Sequence, residues 1–305
     1  MPEPAVKLTP GKGSGSALHG CSWRVEHYNL DATLGSGQVF RWRWLGREWE
    51  GAIGGCPVRL RREGDRLLAR WIGPAAFRRT LACYLRLQED MEAILAEFPK
   101  DPPIQEAARA CRGLRLLRQD PWECLASFLL SSNKQIPQIR RIIECLCRRL
   151  GRELPRFPGS NPLFSFPEPE AVAATSLETL RACGMGYRAP FLREAARAVS
   201  EGRIDWERLR RASIEEARAR LQILPGVGPK IAECVLLYSL GFDQACPVDV
   251  WIRRAVAEAY FPGGNPSAKR IREFCARRFG PRAGFVQQCL YEYVRRRNAP
   301  VQLNA

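Results

Sequence analysis

The chain has 305 residues, 46% hydrophobic and 9% aromatic, a globular composition with length for about two domains, which excludes disorder over most of it. No stretch approaches the roughly 20 uninterrupted apolar residues of a membrane helix, so a soluble protein with no membrane partner is expected. Lys and Arg number 48 against 32 Asp and Glu, a net charge of +16 with pI about 9.7, which points to a polyanionic partner.

Residues 1–20 contain Pro, Gly and Ser without an apolar run and are expected to form a flexible tail, not a secretory signal. From about Trp23 to Ile72 the pattern is that of strands: Phe40, Trp42 and Trp44 alternate with Arg41 and Arg43 as on a half-buried sheet. Glu63-Gly64-Asp65 separates the runs Val58 to Leu60 and Leu67 to Trp71 and reads as a hairpin turn. After Gly73-Pro74 the period changes, and Phe77, Leu81, Tyr84 and Leu85 fall at helical spacing. Further helices are expected over Pro121 to Ser131, Ile136 to Leu150, Tyr187 to Ser200, Ile214 to Ile223, Pro229 to Leu240, Val250 to Tyr260 and Gly284 to Arg297. The proline-rich stretch from Gly151 to Pro169 reads as an ordered connection between two helical halves. The expected organisation is α+β: a tail over 1–20, an antiparallel-sheet domain with helices over 21–116, and a helical domain over 117–305.

Twelve cysteines suggest a metal or disulfide framework, but their spacing argues against both. Only Cys145 and Cys147 lie within four residues of each other, and the sole histidines are His19 and His27, so zinc spacing is missing. Cys234, Cys246, Cys275 and Cys289 are too dispersed for an iron–sulfur cluster. We expect no metal and no cofactor, and cysteines that serve mostly as small buried hydrophobes in a reducing compartment.

Leu224-Pro225-Gly226-Val227-Gly228-Pro229-Lys230 joins two expected helices through a two-glycine hairpin. Glycine permits φ > 0 and a close approach of backbone N–H groups to a phosphate, and Pro229 fits the first helical turn. The segment is either an ordinary tight turn or an anion site at a helix start. Only six lysines occur in the chain, which makes one inside this motif informative. At a helix start, Lys230 sits beside roughly half a positive charge, which favours the neutral amine that a nucleophilic lysine needs; the alternative is a solvated lysine gripping a phosphate. Nineteen residues on, Asp249 in Cys246-Pro247-Val248-Asp249-Val250-Trp251 opens another helix. It reads as an N-cap or as a carboxylate facing Lys230, and one side chain can do both.

The hairpin, Lys230 and Asp249 together resemble the helix-hairpin-helix DNA glycosylases, and more specifically an 8-oxoguanine DNA glycosylase/lyase. The resemblance runs from about Trp23 to Arg297 through ordered blocks: Leu34-Gly35-Ser36-Gly37-Gln38-Val39-Phe40-Arg41-Trp42, Leu116-Leu117-Arg118-Gln119-Asp120-Pro121, Ser131-Ser132-Asn133, Gly184-Met185-Gly186-Tyr187-Arg188 and the hairpin itself. It implies a TBP-like N-terminal sheet domain and a monomer acting on duplex DNA that contains 8-oxoguanine. Such a protein would reside in the bacterial cytoplasm or nucleoid, or in a eukaryotic nucleus.

By the same resemblance, Lys230 would attack C1′ and form a Schiff base that permits β-elimination, while Asp249 would stabilise the oxocarbenium-like charge. The Gly37 carbonyl would accept the N7–H of 8-oxoguanine, Gln287 would bind the base edge, and Cys234 and Tyr291 would sandwich its faces. Asn133 would fill the gap left by the flipped base, and Tyr187 would wedge beside the opposite base. Arg188 would lie beside it on the DNA, and Gly226, Val227 and Gly228 would hold a backbone phosphate. Two positions depart from the eukaryotic pattern. Gln138 stands where an arginine reads the opposite cytosine, and Trp251 stands in place of a histidine, which implies relaxed cytosine specificity and altered phosphate contacts. The competing readings are a monofunctional alkylbase glycosylase and a non-catalytic helix-hairpin-helix DNA-binding module.

Overall fold

The computed structural model describes residues 17–132 and 134–298. Five antiparallel strands form one sheet in the order β1-β5-β4-β3-β2: β1 Leu18–Arg24, β2 Arg43–Trp44, β3 Trp49–Ile53, β4 Cys56–Glu63 and β5 Arg66–Ile72. The β4–β5 hairpin turns at Gly64-Asp65 with Glu63 opposite Arg66, and Gly64 takes the positive φ of +57° that such a two-residue turn requires.

Three sequence expectations change here. The chain is already ordered at Leu18, inside the stretch expected as a tail. Leu18–Arg24 pairs along β5 from Leu18 opposite Ile72 to Arg24 opposite Arg66, and the His19 ring stacks on Trp71. The open edge of β5 offers unpaired backbone groups, and pairing them is worth more than leaving this segment in water. The earlier part of the expected tail lies outside the described residues. Within the strand-like region, Leu30–Gly35 is a helix, α1, because Asn29 caps it by accepting from Ala32 N at 2.9 Å. The alternation at Phe40, Trp42 and Trp44 is a strand only at Arg43–Trp44; Phe40 to Trp42 is an irregular, bent segment, in which Phe40 and Trp42 are buried, while Trp44 is exposed.

The remaining helices are α2 Phe77–Tyr84, α3 Met91–Ala96, α4 Pro102–Ala110, α5 Pro121–Ser131, α6 Ile136–Leu150, α7 Pro169–Ala174, α8 Leu177–Leu180 and α9 Ala189–Ser200. They continue with α10 Trp206–Arg211, α11 Ile214–Gln222, α12 Pro229–Val235, α13 Val250–Tyr260, α14 Ala268–Phe279 and α15 Ala283–Asn298. α5, α6 and α13 carry the bounds read from the sequence. The helix expected over Pro229 to Leu240 is α only to Val235, and it widens into a π turn over Leu236–Leu240 that stops at Gly241 with φ +95°. Proline at the first turn starts α4, α5, α6, α7, α9 and α12, where its missing N–H costs no hydrogen bond.

Two apolar cores result. One packs α1 and α2 against the sheet around Tyr28, Trp42, Leu60 and Leu81. The other gathers the helical part around α5, α9, α12 and α15, and also takes Ile94 of α3, Phe98 and Ile104 of α4. The cysteines are all unpaired, and most are buried in these cores. Leu116 enters the helical core while Leu117 enters the sheet core, so this extended segment stitches the two. A second tie is Arg86, buried after α2, whose guanidinium donates to both carboxylate oxygens of Asp243 at 2.9 Å each. Asp243 begins the turn that leads to α13, so the sheet domain braces the segment carrying Asp249.

Candidate active site

α11 and α12 are joined by the Leu224–Gly228 hairpin. Leu224 and Val227 are buried, and Val227 N donates to Leu224 O at 3.0 Å, closing the turn. Gly226 has φ +80°, and a methyl built on it would stand 2.7 Å from Cδ2 of Phe191, so both conformation and space demand glycine. Gly228 differs: a methyl there meets nothing within 4 Å. It occupies the N-cap of α12 without a capping side chain, which leaves first-turn N–H groups directed outward, as an anion site requires.

Lys230, in the first turn of α12, reaches back to α5. Its Nζ donates to Ser131 Oγ at 3.2 Å and lies 5.1 Å from the centre of the Phe128 ring. The Ser131 hydroxyl itself donates to Phe128 O at 2.8 Å, so its oxygen is oriented to accept from the amine. Asp249 caps α13, accepting from Ile252 N at 2.8 Å. Burial pushes its carboxyl above the usual range, opposed by the Ile252 N–H and by the charge of Lys230. Asp249 therefore both caps α13 and interacts with Lys230 through the electrostatic field between them.

The residues expected to hold a base are also brought together. Gly37 has φ +77°, and a methyl on it would lie 3.2 Å from Ile136 Cδ1 and 3.5 Å from Tyr291 Oη. Tyr291 in turn senses Asp249 and Cys234: its hydroxyl is pushed up to about 12, mainly by burial and then by the Asp249 charge. Cys234, one turn after Lys230, is buried and pushed up to about 12 by desolvation, against the opposing pull of Lys230, so it is a neutral thiol. Gln287, one turn before Tyr291 on α15, is buried with its Oε1 unpartnered among the described residues, a polar atom whose desolvation none of them offsets.

On the outer face Tyr187 is exposed, whereas Arg188, expected beside it on the DNA, is buried, with its guanidinium 4.3 Å from the centre of the Tyr187 ring. Tyr187 also meets Phe191 edge to face with centroids 6.4 Å apart; since Phe191 backs Gly226, one continuous surface joins wedge and hairpin. Exposed Ile223, Val250 and Trp251 add apolar area at the hairpin and at the first turn of α13. Asn133 lies outside the described residues. Gln138 is committed to its own helix, its Oε1 accepting from Gln135 N at 3.0 Å in a capping box.

Sequence reading missed several residues on which the site depends. Phe128 and Ser131 hold the lysine, yet only Ser131 lay in a recognised block. Phe191 supports the hairpin through helical packing that no motif marks. Gln38, fully buried, donates to Thr33 O and Arg115 O and accepts from Leu117 N, which locks the Gly37 loop to the segment between the cores. Among the described residues no group of three or more His, Cys, Asp or Glu is arranged to hold a metal, and no helix is long and apolar enough to cross a membrane.

A hairpin helix start beside a lysine and a capping aspartate places the helical part in a class, and comparison agrees. The family model of the HhH-GPD superfamily base excision DNA repair proteins matches residues 126–281, and that of the 8-oxoguanine DNA glycosylase N-terminal domain matches residues 22–125. The probable N-glycosylase/DNA lyase of Methanothermobacter thermautotrophicus is 35% identical, covering 89% of this chain and 95% of its own length. N-glycosylase/DNA lyase OGG1 of Arabidopsis thaliana is 34% identical over 86% of this chain and 76% of its own. Among solved structures, the Clostridium acetobutylicum 8-oxoguanine glycosylase/lyase in complex with double-stranded DNA, with cytosine opposite 8-oxoguanine, superposes with a TM-score of 0.84. It is 29% identical and covers 89% of this chain and 93% of that one. The chain belongs to the 8-oxoguanine DNA glycosylase family of the HhH-GPD superfamily.

Proposed function

We propose that this protein is a bifunctional DNA glycosylase and AP lyase that excises 8-oxoguanine from duplex DNA, acting as a monomer. The observation that carries the reading is the placement of Lys230. Its amine is anchored by Ser131 and Phe128 in a site shared with the raised carboxyl of Asp249, beside the outward N–H groups of the hairpin.

Phosphates dock on the backbone of Gly226, Val227 and Gly228 and within the field of the basic chain. Tyr187, backed by the buried Arg188 guanidinium, engages the opposite strand, with Asn133 filling the gap left by the extruded nucleotide. These contacts offset the few kcal/mol that base flipping costs. The flipped base enters between Cys234 and Tyr291. There the Gly37 carbonyl takes the N7–H that guanine lacks, and the unpartnered Gln287 Oε1 gains a hydrogen bond at the base edge. Lys230 gives up its ammonium proton and attacks C1′; the glycosidic bond breaks with its electron pair on the base, which takes up a proton. Asp249 stabilises the positive charge that develops on the sugar and assists transfer of protons. Opening of the sugar ring gives the Schiff base between Nζ and C1′. Loss of a C2′ proton then expels the 3′ phosphate, and hydrolysis of the Schiff base frees the enzyme.

Borohydride reduction tests the reading. A covalent adduct with an 8-oxoguanine duplex is expected from the wild type and not from Lys230→Gln. An adduct of equal yield in the variant would remove Lys230 from its role. Base release without any strand cleavage would favour a monofunctional glycosylase, and binding without release would favour a DNA-binding module.

A further inference from the structure

Glu233 is buried to 1% exposure on α12, one turn beyond Lys230, and takes no part in the chemistry above. A carboxylate in such a place is costly unless its oxygens are partnered. Both are, and they point to different elements. Oε1 accepts from Nε of Arg218 on α11, while Oε2 accepts from the backbone N–H of Cys246 at 2.8 Å. One side chain therefore ties the two hairpin helices to the turn that ends in Asp249.

Between Cys246 and Asp249 the chain has little slack. Cys246, Pro247 and Val248 are all buried, proline fixes its own φ, and Asp249 is itself pinned as the cap of α13. A shift at the Cys246 amide is passed to the Asp249 carboxylate. At the other end, the same helix that carries Glu233 carries Lys230.

We infer that Glu233 is a positioning residue that sets the separation of Lys230 and Asp249, using Arg218 to hold its carboxylate in register with the Cys246 amide. The inference rests on the roles proposed above for Lys230 and Asp249. Misplacement by about 1 Å can cost about 100-fold in rate, so a spacer of this kind acts on the chemical step and not on DNA affinity.

The test exploits side-chain geometry. In Glu233→Gln the amide oxygen can keep the Cys246 N–H only by turning its NH2 toward Arg218, which sets donor against donor. In Arg218→Gln the terminal amide oxygen can stand as far along the side chain as Nε does in arginine, so the double variant restores complementarity. The amide oxygen introduced at position 218 then accepts from the NH2 introduced at position 233, whose own oxygen keeps the Cys246 N–H. Single-turnover excision from an 8-oxoguanine duplex is expected to fall at least tenfold in Glu233→Gln, with the duplex Kd within about twofold of wild type. The rate should return to within about threefold in the double variant. A wild-type rate in Glu233→Gln, equal loss of affinity and rate, or no recovery in the double variant would each overturn the inference. Lys230→Gln and Asp249→Asn run alongside separate the two levels: if either retains the wild-type rate, the proposed chemistry fails, and if both are inactive while Glu233→Gln is unimpaired, only the spacer fails.

Discussion

Replacing Asp249 by asparagine separates what the residue does for the fold from what it does for the reaction. Asparagine caps a helix about as well as aspartate, so the bond to Ile252 N, 2.8 Å in the native protein, survives. An alanine there loses the cap, worth about 1 kcal/mol, or about 2 °C in a protein of this size. The charge acts in the opposite direction. Burial raises the Asp249 carboxyl above its ordinary 3.8 in spite of the Ile252 N–H and Lys230, so the folded state holds this proton more tightly than the unfolded state. The group's stabilising contribution is therefore present below the ordinary carboxyl range and is lost as pH rises through the raised value. At neutral pH the ionised Asp249 costs stability, which Asp249→Asn recovers. Asp249→Asn is expected to melt at or above the wild-type temperature at pH 7.5, with the advantage vanishing as the pH is lowered to about 4. Asp249→Ala should melt about 2 °C below Asp249→Asn throughout. Single-turnover excision should fall about 100- to 1,000-fold in both, the usual loss when a charge-stabilising group is removed from an active site. The measurements are thermal melts across pH 4–8 and excision rates at neutral pH. An Asp249→Asn protein that melts below wild type at neutral pH, with no convergence on acidification, would refute the account of a carboxylate held there at the expense of stability.

The two hairpin glycines should fail differently. Gly226→Ala collides with Phe191 and requires a left-handed residue, so its melting temperature and its duplex affinity should both drop; Gly228→Ala meets no protein atom and should melt like wild type while binding duplex DNA more weakly, because its methyl stands where a phosphate would approach. Equal melting of the two, or undiminished DNA affinity in Gly228→Ala, would contradict the hairpin assignment. Because the Gln138 side chain caps α6, opposite-base preference should be shallow. A bidentate arginine contact discriminates by about 1–3 kcal/mol, so without one the single-turnover rates opposite C, A, G and T are expected to lie within about tenfold of each other. A preference for C above 100-fold would show that another residue reads that base.

Much of this protein was legible as local pattern. Proline at the start of α5, α6 and α12, and Asp249 as a cap, mark helix starts by interactions within a few residues, which is why α5, α6 and α13 could be bounded from the sequence. The β4–β5 hairpin announced itself through Gly64 for the same reason. Lys230, Asp249 and the glycine hairpin stood out because, with the ordered blocks around them, they resemble a known family; their spacing alone left an ordinary turn, a phosphate-gripping lysine and a plain N-cap open. What the sequence did not disclose depends on partners far along the chain. Leu18 to Gly20 reads as the end of a tail until β5 supplies an edge about 50 residues away. Ser131 and Phe128 hold Lys230 across a separation of about 100 residues. The meeting of Gly37 with Tyr291, and of Glu233 with the Cys246 amide, exists only once α12, α15 and the 241–249 turn are packed together. Sequence alone determined the family chemistry and the elements that local hydrogen bonding and periodicity encode. Only the tertiary structure decided how a lysine, an aspartate and a buried glutamate are held at working distance, because that geometry is set by close packing and buried polar partners, neither of which leaves a local signature.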